Sequence, residues 1–287
     1  MKEFKSFYKT VGGNEGSKCY YPTRLDTYGC GCQHDCDYCY AKSLLDFRNL
    51  WDAKEPAVAN VEKIRRKVAK IPRGTVVRLG GMTDCFQPIE LKHRVTYETI
   101  KALNAAGIEY LIVTKSAIVA NPEYLEILDK DLAHVQVTLT FTNDWYYEKL
   151  GIEKASKPSD RIKAIEALQA RGVDVSIRLS PYIPQLIDCA TIKAIKCDKI
   201  VLEFLRINTW IKKWFTDKTG YTLEEYSVKS GNYRHLPLWT KVLYVRQIQE
   251  YTGKTVTVCE DDTEAYDYFK RHINPNPNDC CNLRRRT

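Results

Sequence analysis

Three cysteines define the chemistry this sequence can do. Cys32, Cys36 and Cys39 are separated by three and then two residues, so one short loop can turn all three sulfurs onto a single metal centre. Thiolates at such spacing hold iron–sulfur clusters, and a cubane given only three protein ligands keeps one iron open to a small molecule. The competing reading is a structural zinc ion, which requires a fourth donor such as Cys30 or His34. Structural zinc sites usually join two separated knuckles, yet no second C-x-x-C follows, and Cys280 and Cys281 are adjacent, an awkward pair for one small ion. The cysteine loop therefore points to a [4Fe–4S] cluster.

A loop of this kind needs a rigid scaffold. Apolar runs predict strands at Thr75–Leu79, Tyr110–Thr114, Val135–Phe141, Val173–Leu179, Lys199–Leu205 and Thr255–Val258. Helical periodicity lies between them at about Val58–Ile71, Arg94–Ala106, Pro122–Lys130, Ser159–Arg171, Ala190–Ile195 and Trp239–Tyr251, with Gly107, Gly172 and Gly253 as stop signals. The alternation predicts an α/β fold around a parallel sheet, either an open or closed barrel or a doubly wound sheet. No G-x-G-x-x-G turn supports a dinucleotide site. In a barrel the strand-to-helix loops share one face, where functional residues collect. No linker divides the chain, so residues 1–273 are read as one domain and 274–287 as a short extension. The stretch Thr209–Pro237, with Trp210, Trp214, Tyr221, Tyr226 and Tyr233, is either a substrate-facing insertion or an irregular helical excursion.

The run from Cys32 to Lys42, with Tyr38 before the last cysteine and Tyr40 after it, resembles the radical S-adenosylmethionine superfamily, and more narrowly its spore photoproduct lyase-like branch. The resemblance extends from about Tyr28 to Ser180. It implies a partial (β/α)6-type TIM barrel and a cluster on Cys32, Cys36 and Cys39 that binds S-adenosylmethionine and cleaves it to a radical. It further implies cofactor contacts from Tyr38, from the turn Gly80, Gly81 and Thr83, from Lys115 to the cofactor carboxylate, and from Arg178. Thr138, Thr140 and Thr142 alternate, so they share one strand face, and Thr140 is the candidate for the ribose. Tyr40 and Cys85 are the candidates for direct chemistry. The branch carries a hydrogen-donor cysteine in the loop after Gly80, but here Gly81 falls at that position and Cys85 is displaced from it. Glu203 and Arg206 are close enough in sequence to pair with each other.

The resemblance implies a nucleic-acid base or nucleotide as substrate and an electron donor such as flavodoxin or ferredoxin. The net charge of +8, from 44 Lys and Arg against 36 Asp and Glu, is a weak sign in the same direction. The tail Arg284-Arg285-Arg286 offers phosphate contacts or stays solvated. A radical enzyme for a peptide or small metabolite is the alternative, with Cys259, Cys280 and Cys281 on a second iron–sulfur cluster; a non-catalytic zinc module is the third reading. Cys19, Cys30, Cys189 and Cys197 receive no assignment. Eleven cysteines in a long chain fit reduced thiols better than a disulfide scaffold. With no apolar leader and no unbroken apolar run of about 18 residues, the expectation is a cytoplasmic protein without membrane contact.

Overall fold

A computed structural model describes residues 4–9 and 18–284. Twelve strands run in chain order: β1 (Phe7–Lys9), β2 (Thr23–Leu25), β3 (Tyr28–Gly29), β4 (Ala57–Val58), β5 (Val77–Leu79), β6 (Tyr110–Thr114), β7 (Ala133–Leu139), β8 (Asp174–Tyr182), β9 (Lys199–Phe204), β10 (Val228–Ser230), β11 (Tyr233–His235) and β12 (Thr255–Val258). Eight of them form one sheet in the order β1-β2-β5-β6-β7-β8-β9-β12. Only β1 is antiparallel in it, and every other neighbouring pair is parallel. The six strands expected from sequence are present. β1 and β2 are additions: each is three residues long, too short for a periodic signal, and Arg24 interrupts the apolar pattern of β2. The stretch after β9 becomes a helix, Thr209–Thr219, followed by the β10–β11 hairpin.

Side-chain alternation gives the two faces of the sheet different chemistry. Val135, Val137 and Leu139 of β7 and Val175, Ile177 and Leu179 of β8 join the main apolar core. Between them, His134, Gln136, Thr138, Asp174, Ser176 and Arg178 are buried as well, but polar. Several polar side chains on this face meet residues 280–284. Thr257 Oγ1 donates to the Cys280 carbonyl (2.8 Å), Gln136 Nε2 to the Cys281 carbonyl (3.4 Å) and Lys199 Nζ to the Asn282 carbonyl (3.1 Å), while Asp174 Oδ2 accepts from the Arg284 amide (2.8 Å).

Four consecutive strands, β7, β8, β9 and β12, thus turn polar side chains onto the same few residues, as a sheet curled around them does. A second apolar cluster inside the curl, made by Leu111, Cys280 and Cys281 with Val76, Val113, Cys259 and Leu283, is the barrel's own core. The expected extension beyond residue 273 therefore fills the barrel. Arg284 is spent on the carbonyls of Lys130 and Gly172, while Arg285 and Arg286 lie outside the described residues. No helix among the described residues is long and apolar enough to cross a membrane.

Candidate active site at the barrel mouth

The ends of the parallel strands open on one cavity of about 220 Å³. Gly80 to Asp84 line it after β5, Val113 to Lys115 at the end of β6, Thr138 from β7, Arg178 and Ser180 from β8, Glu203 to Arg206 from β9, and Cys259 to Asp261 after β12. The loop between β3 and the helix Tyr40–Leu45 closes over it with Cys32, His34, Cys36, Tyr38, Cys39 and Tyr40.

That loop is bent by its backbone. Cys30 and Asp35 take φ of 54° and 43°, and a Cβ on Gly31 would lie 1.8 Å from the Asp52 carbonyl, so only glycine fits there. Cys39 caps the following helix, accepting from the Lys42 amide at 3.5 Å. The loop thiols are not in disulfides, and burial pushes Cys32, Cys36 and Cys39 above the ordinary thiol range. Holding a metal would take these thiols as thiolates, with release of their protons.

Zinc fits this spacing poorly. Bonds near 2.3 Å in a tetrahedron place the sulfurs about 3.8 Å apart. Among the described residues, only His235, Glu260 and Asp261 bring three donor atoms within 4.8 Å of one another, and Glu260 there already meets Lys241 at 2.8 Å. His34, the candidate fourth zinc ligand, instead places Nε2 3.2 Å from Asp84 Oδ2. Three wider-set thiolates suit a cluster.

The glycine turn is held by a residue that sequence reasoning passed over. Buried Asp26 accepts from the amides of Gly81 (2.6 Å) and Met82 (3.2 Å) and from the Tyr8 hydroxyl (3.0 Å). Gly80 has φ of 83°, and a Cβ on Gly81 would sit 2.3 Å from Tyr8 Oη. Tyr40 donates to the Gly81 carbonyl at 2.6 Å, and Thr83 donates to the Tyr28 carbonyl at 2.6 Å, tying the turn to the cysteine loop. Asp84 accepts from the Lys115 amide (2.7 Å) and from Thr114 Oγ1 (2.8 Å). Burial opposes its charge, but His34 and these donors hold its carboxyl below the usual range.

Lys115 is the electrostatic centre of the cavity. Its Nζ donates to the Ser180 carbonyl (2.6 Å) and Thr140 Oγ1 (3.3 Å) and lies 5.2 Å from the centre of the Tyr38 ring. Burial, against the pull of Cys36, brings its ammonium down to about 7. Such a cation, met by a carbonyl, a hydroxyl and a ring, is set to receive an anion. Arg178 also lines the cavity, donating to Gln136 Oε1 (2.7 Å) and pairing with Glu203 (2.5 Å). Burial works against Glu203, but Arg178 and Arg206 bring its carboxyl down to about 2.

Three of the expected arrangements take a different form in the structure. Glu203 pairs with Arg178, while Arg206 turns to Asp261, because the strand end separates the two neighbours. Thr140 is fully buried, bonded to Tyr38 Oη at 3.0 Å and to Lys115 Nζ at 3.3 Å, so it meets the cavity through these two lining residues, and Thr142 is spent on the Asp188 amide. Only Thr138 of the three lines the cavity. Cys85 lies in the core under the turn, 1% exposed, outside the cavity lining, with Thr96 donating to its carbonyl at 2.6 Å.

The model of the radical SAM superfamily matches residues 27–195. An uncharacterised protein of Mycobacterium tuberculosis is 29% identical over 168 residues, 55% of this chain and 49% of the relative. An uncharacterised protein of Methanocaldococcus jannaschii is 29% identical over 161 residues, 55% of this chain and 60% of the relative. The chain thus spans about half the length of the curated relatives it matches. Among solved structures, a spore photoproduct lyase mutant with bound AdoMet and dinucleoside spore photoproduct superposes with a TM-score of 0.63 at 16% identity, covering 84% of this chain and 77% of the lyase. Streptococcus suis SuiB bound to its precursor peptide SuiA gives 0.55 at 15% identity, covering 90% and 53%. These likenesses show a shared fold, the partial TIM barrel deduced from the strand ends. Since the family model takes in more than half of the sequence, this chain belongs to the radical S-adenosylmethionine superfamily.

Proposed function

We propose that this chain cleaves S-adenosylmethionine reductively and directs the resulting radical at a nucleic-acid base or nucleotide. The observation that carries the reading is the placement of three loop thiols and the buried Lys115 around one cavity. Cys32, Cys36 and Cys39 would hold a [4Fe–4S] cluster with one iron left for the cofactor. When bound, that cluster would supply the electron for reductive cleavage of the cofactor, and so the radical chemistry directed at the substrate. Lys115 offers its ammonium to the cofactor's carboxylate. The turn at Gly80, Gly81 and Thr83 gives the methionine amine close access to backbone, Tyr38 and Tyr40 keep water from the thiols, and Arg178 with Glu203 fixes the inner wall. The electron donor is of the flavodoxin or ferredoxin kind.

The substrate class is supported by surface chemistry beside the cysteine loop. Phe47 and Trp210, 52% and 41% exposed, stack with ring centres 6.1 Å apart. Lys42 lies 4.9 Å from the Trp214 ring and Arg48 5.0 Å from Phe47. Lys42 is held there by Asp35 at 2.8 Å, which leaves the exposed Phe47 and Trp210 rings with Arg48 as the surface suited to an unpaired base and its phosphate. Single-stranded DNA and RNA are expected to bind with steep salt dependence, and Trp210→Ala to weaken binding about tenfold, since one stacked base contributes roughly 1–3 kcal/mol.

The decisive measurement is the fate of deuterium from cofactor labelled at the 5′ position. Label in nucleic acid supports the proposal. Label in peptide supports the second reading, favoured by the fold shared with SuiB. Stoichiometric zinc without sulfide in anaerobically prepared protein would refute both.

A further inference from the structure

We infer that Cys19, Cys259, Cys280 and Cys281 form a second metal site inside the barrel, a tetrathiolate set for an iron–sulfur cluster with every iron closed. The site stands on its own geometry and does not rest on the loop cysteines.

The four thiols come from three segments and are neighbours, Cys280 against Cys259 and Cys281, and Cys19 near Cys259 and Cys281. Cys259 follows β12, its amide bonded to the Leu202 carbonyl at 2.8 Å. Cys280 and Cys281 sit in a tight turn around buried Asp279, whose carboxylate accepts from the amides of Cys281 and Leu283, each at 2.9 Å; Asn282 there takes φ of 51°. Cys19 is brought in by its neighbours. Tyr20 donates to the Asn278 side chain (3.2 Å) and the Pro277 carbonyl (3.3 Å), and Lys18 donates to Thr263 Oγ1 (3.0 Å), so the segment before β2 is fastened to the end of the chain. All four thiols line the cavity, and none is in a disulfide.

Filling a barrel is a task for branched aliphatic side chains, and Val76, Leu111 and Val113 do it here. Four soft donors gathered in a cavity that Arg78 and Arg178 also line serve another purpose. Guanidinium groups so placed offset the negative charge that a cluster with four thiolates carries. Cys280 lies within hydrogen-bonding reach of both Cys259 and Cys281, yet no three of these sulfurs lie within 4.8 Å of one another, a spread that one zinc ion does not span. Because four thiolates occupy every iron's outward position, this cluster would not take a second cofactor molecule.

The test is iron and sulfide analysis of the full chain after anaerobic reconstitution. Wild-type protein is expected to hold about six to eight irons, four at the loop and two or four at the second site, with equal sulfide. The triple variant Cys32→Ala/Cys36→Ala/Cys39→Ala should keep about two to four irons with equal sulfide, and Cys259→Ala/Cys281→Ala about four. About four irons in the wild type, all lost in the triple variant, would overturn the second site and leave the loop assignment standing. Full wild-type iron retained in the triple variant would instead overturn the loop. Zinc without sulfide in the triple variant, or a Cys280–Cys281 disulfide recovered from anaerobic wild type, also rejects the inference. The wild-type count needs no substitution, so it decides even where a variant does not fold.

Discussion

Two sets of thiols face one cavity, and they are held in opposite ways. Cys32, Cys36 and Cys39 lie within one loop whose bends are local, set by Cys30, Gly31 and Asp35 and by the approach of Asp52. Cys19, Cys259, Cys280 and Cys281 are brought together only when the barrel has curled and its last residues have entered it. The electrostatics differ as well. Burial pushes all three loop thiols up, whereas Cys281 is brought down to about 7, by the Cys280 thiol and then by Arg178 and Arg78, against burial. A local set can change its metal with little effect on the fold. An assembled set is part of the fold, so its occupancy and the barrel's stability are linked.

The largest expected effect breaks the local set. Cys36→Ala should abolish formation of 5′-deoxyadenosine and remove about four irons per chain, read by chromatography of the products and by metal analysis. Unaltered activity would refute the ligand assignment.

Next in size is Lys115. A hydrogen bond to a charged group contributes about 1.5–3 kcal/mol, so Lys115→Met should raise the dissociation constant for S-adenosylmethionine by about tenfold or more. The sign with pH follows from its position near 7: the ammonium exists below that value and is lost above it. Wild-type affinity should therefore fall as pH rises from 7 towards 9, while the affinity of the Lys115→Met variant stays flat. Equilibrium binding across that range checks both statements, and an unchanged dissociation constant would remove Lys115 from the site.

Gly81→Ala sharpens what the turn is for. Its new Cβ would meet Tyr8 Oη at 2.3 Å and Arg24 Cδ at 3.0 Å, an overpacking that costs roughly 1–3 kcal/mol. Thermal melting should show the loss, and Tyr8→Phe in the same chain should restore part of it. No recovery would mean that the glycine answers to something other than Tyr8.

How much of this could be read beforehand depends on distance along the chain. The cysteine loop, the turn at Gly80 and Gly81, and Lys115 each advertise themselves within a few neighbouring residues, and the six long strands carry their own periodicity. Asp26 is different. Its importance arises because β2 lies beside β5 and brings one carboxylate under two amides of the turn, a relation that no local pattern contains. The same holds for Cys19, which no motif singles out and which lies near Cys259 and Cys281 in a segment fastened by the contacts of Tyr20 and Lys18. The tail reads as a polar extension because what it gives the barrel's polar face is backbone, the carbonyls of Cys280, Cys281 and Asn282 and the amide of Arg284, which no side-chain pattern advertises.

Cys85 gives the smallest effect and the cleanest contrast with both thiol sets. Its position after Thr83 and Asp84 suggested chemistry, but it is packed among Phe86, Ile100 and their neighbours in the main core, and burial holds its thiol well above the ordinary range. Removing one buried sulfur from such a site should cost about 1 kcal/mol through the small cavity left behind, a fall of about 2 °C in melting temperature for a chain of this size. Cys85→Ala should otherwise form 5′-deoxyadenosine at the wild-type rate and give the same labelled product. A changed product with an unchanged melting temperature would mean that this thiol does reach the substrate, and that the cavity opens further inward than its lining residues imply.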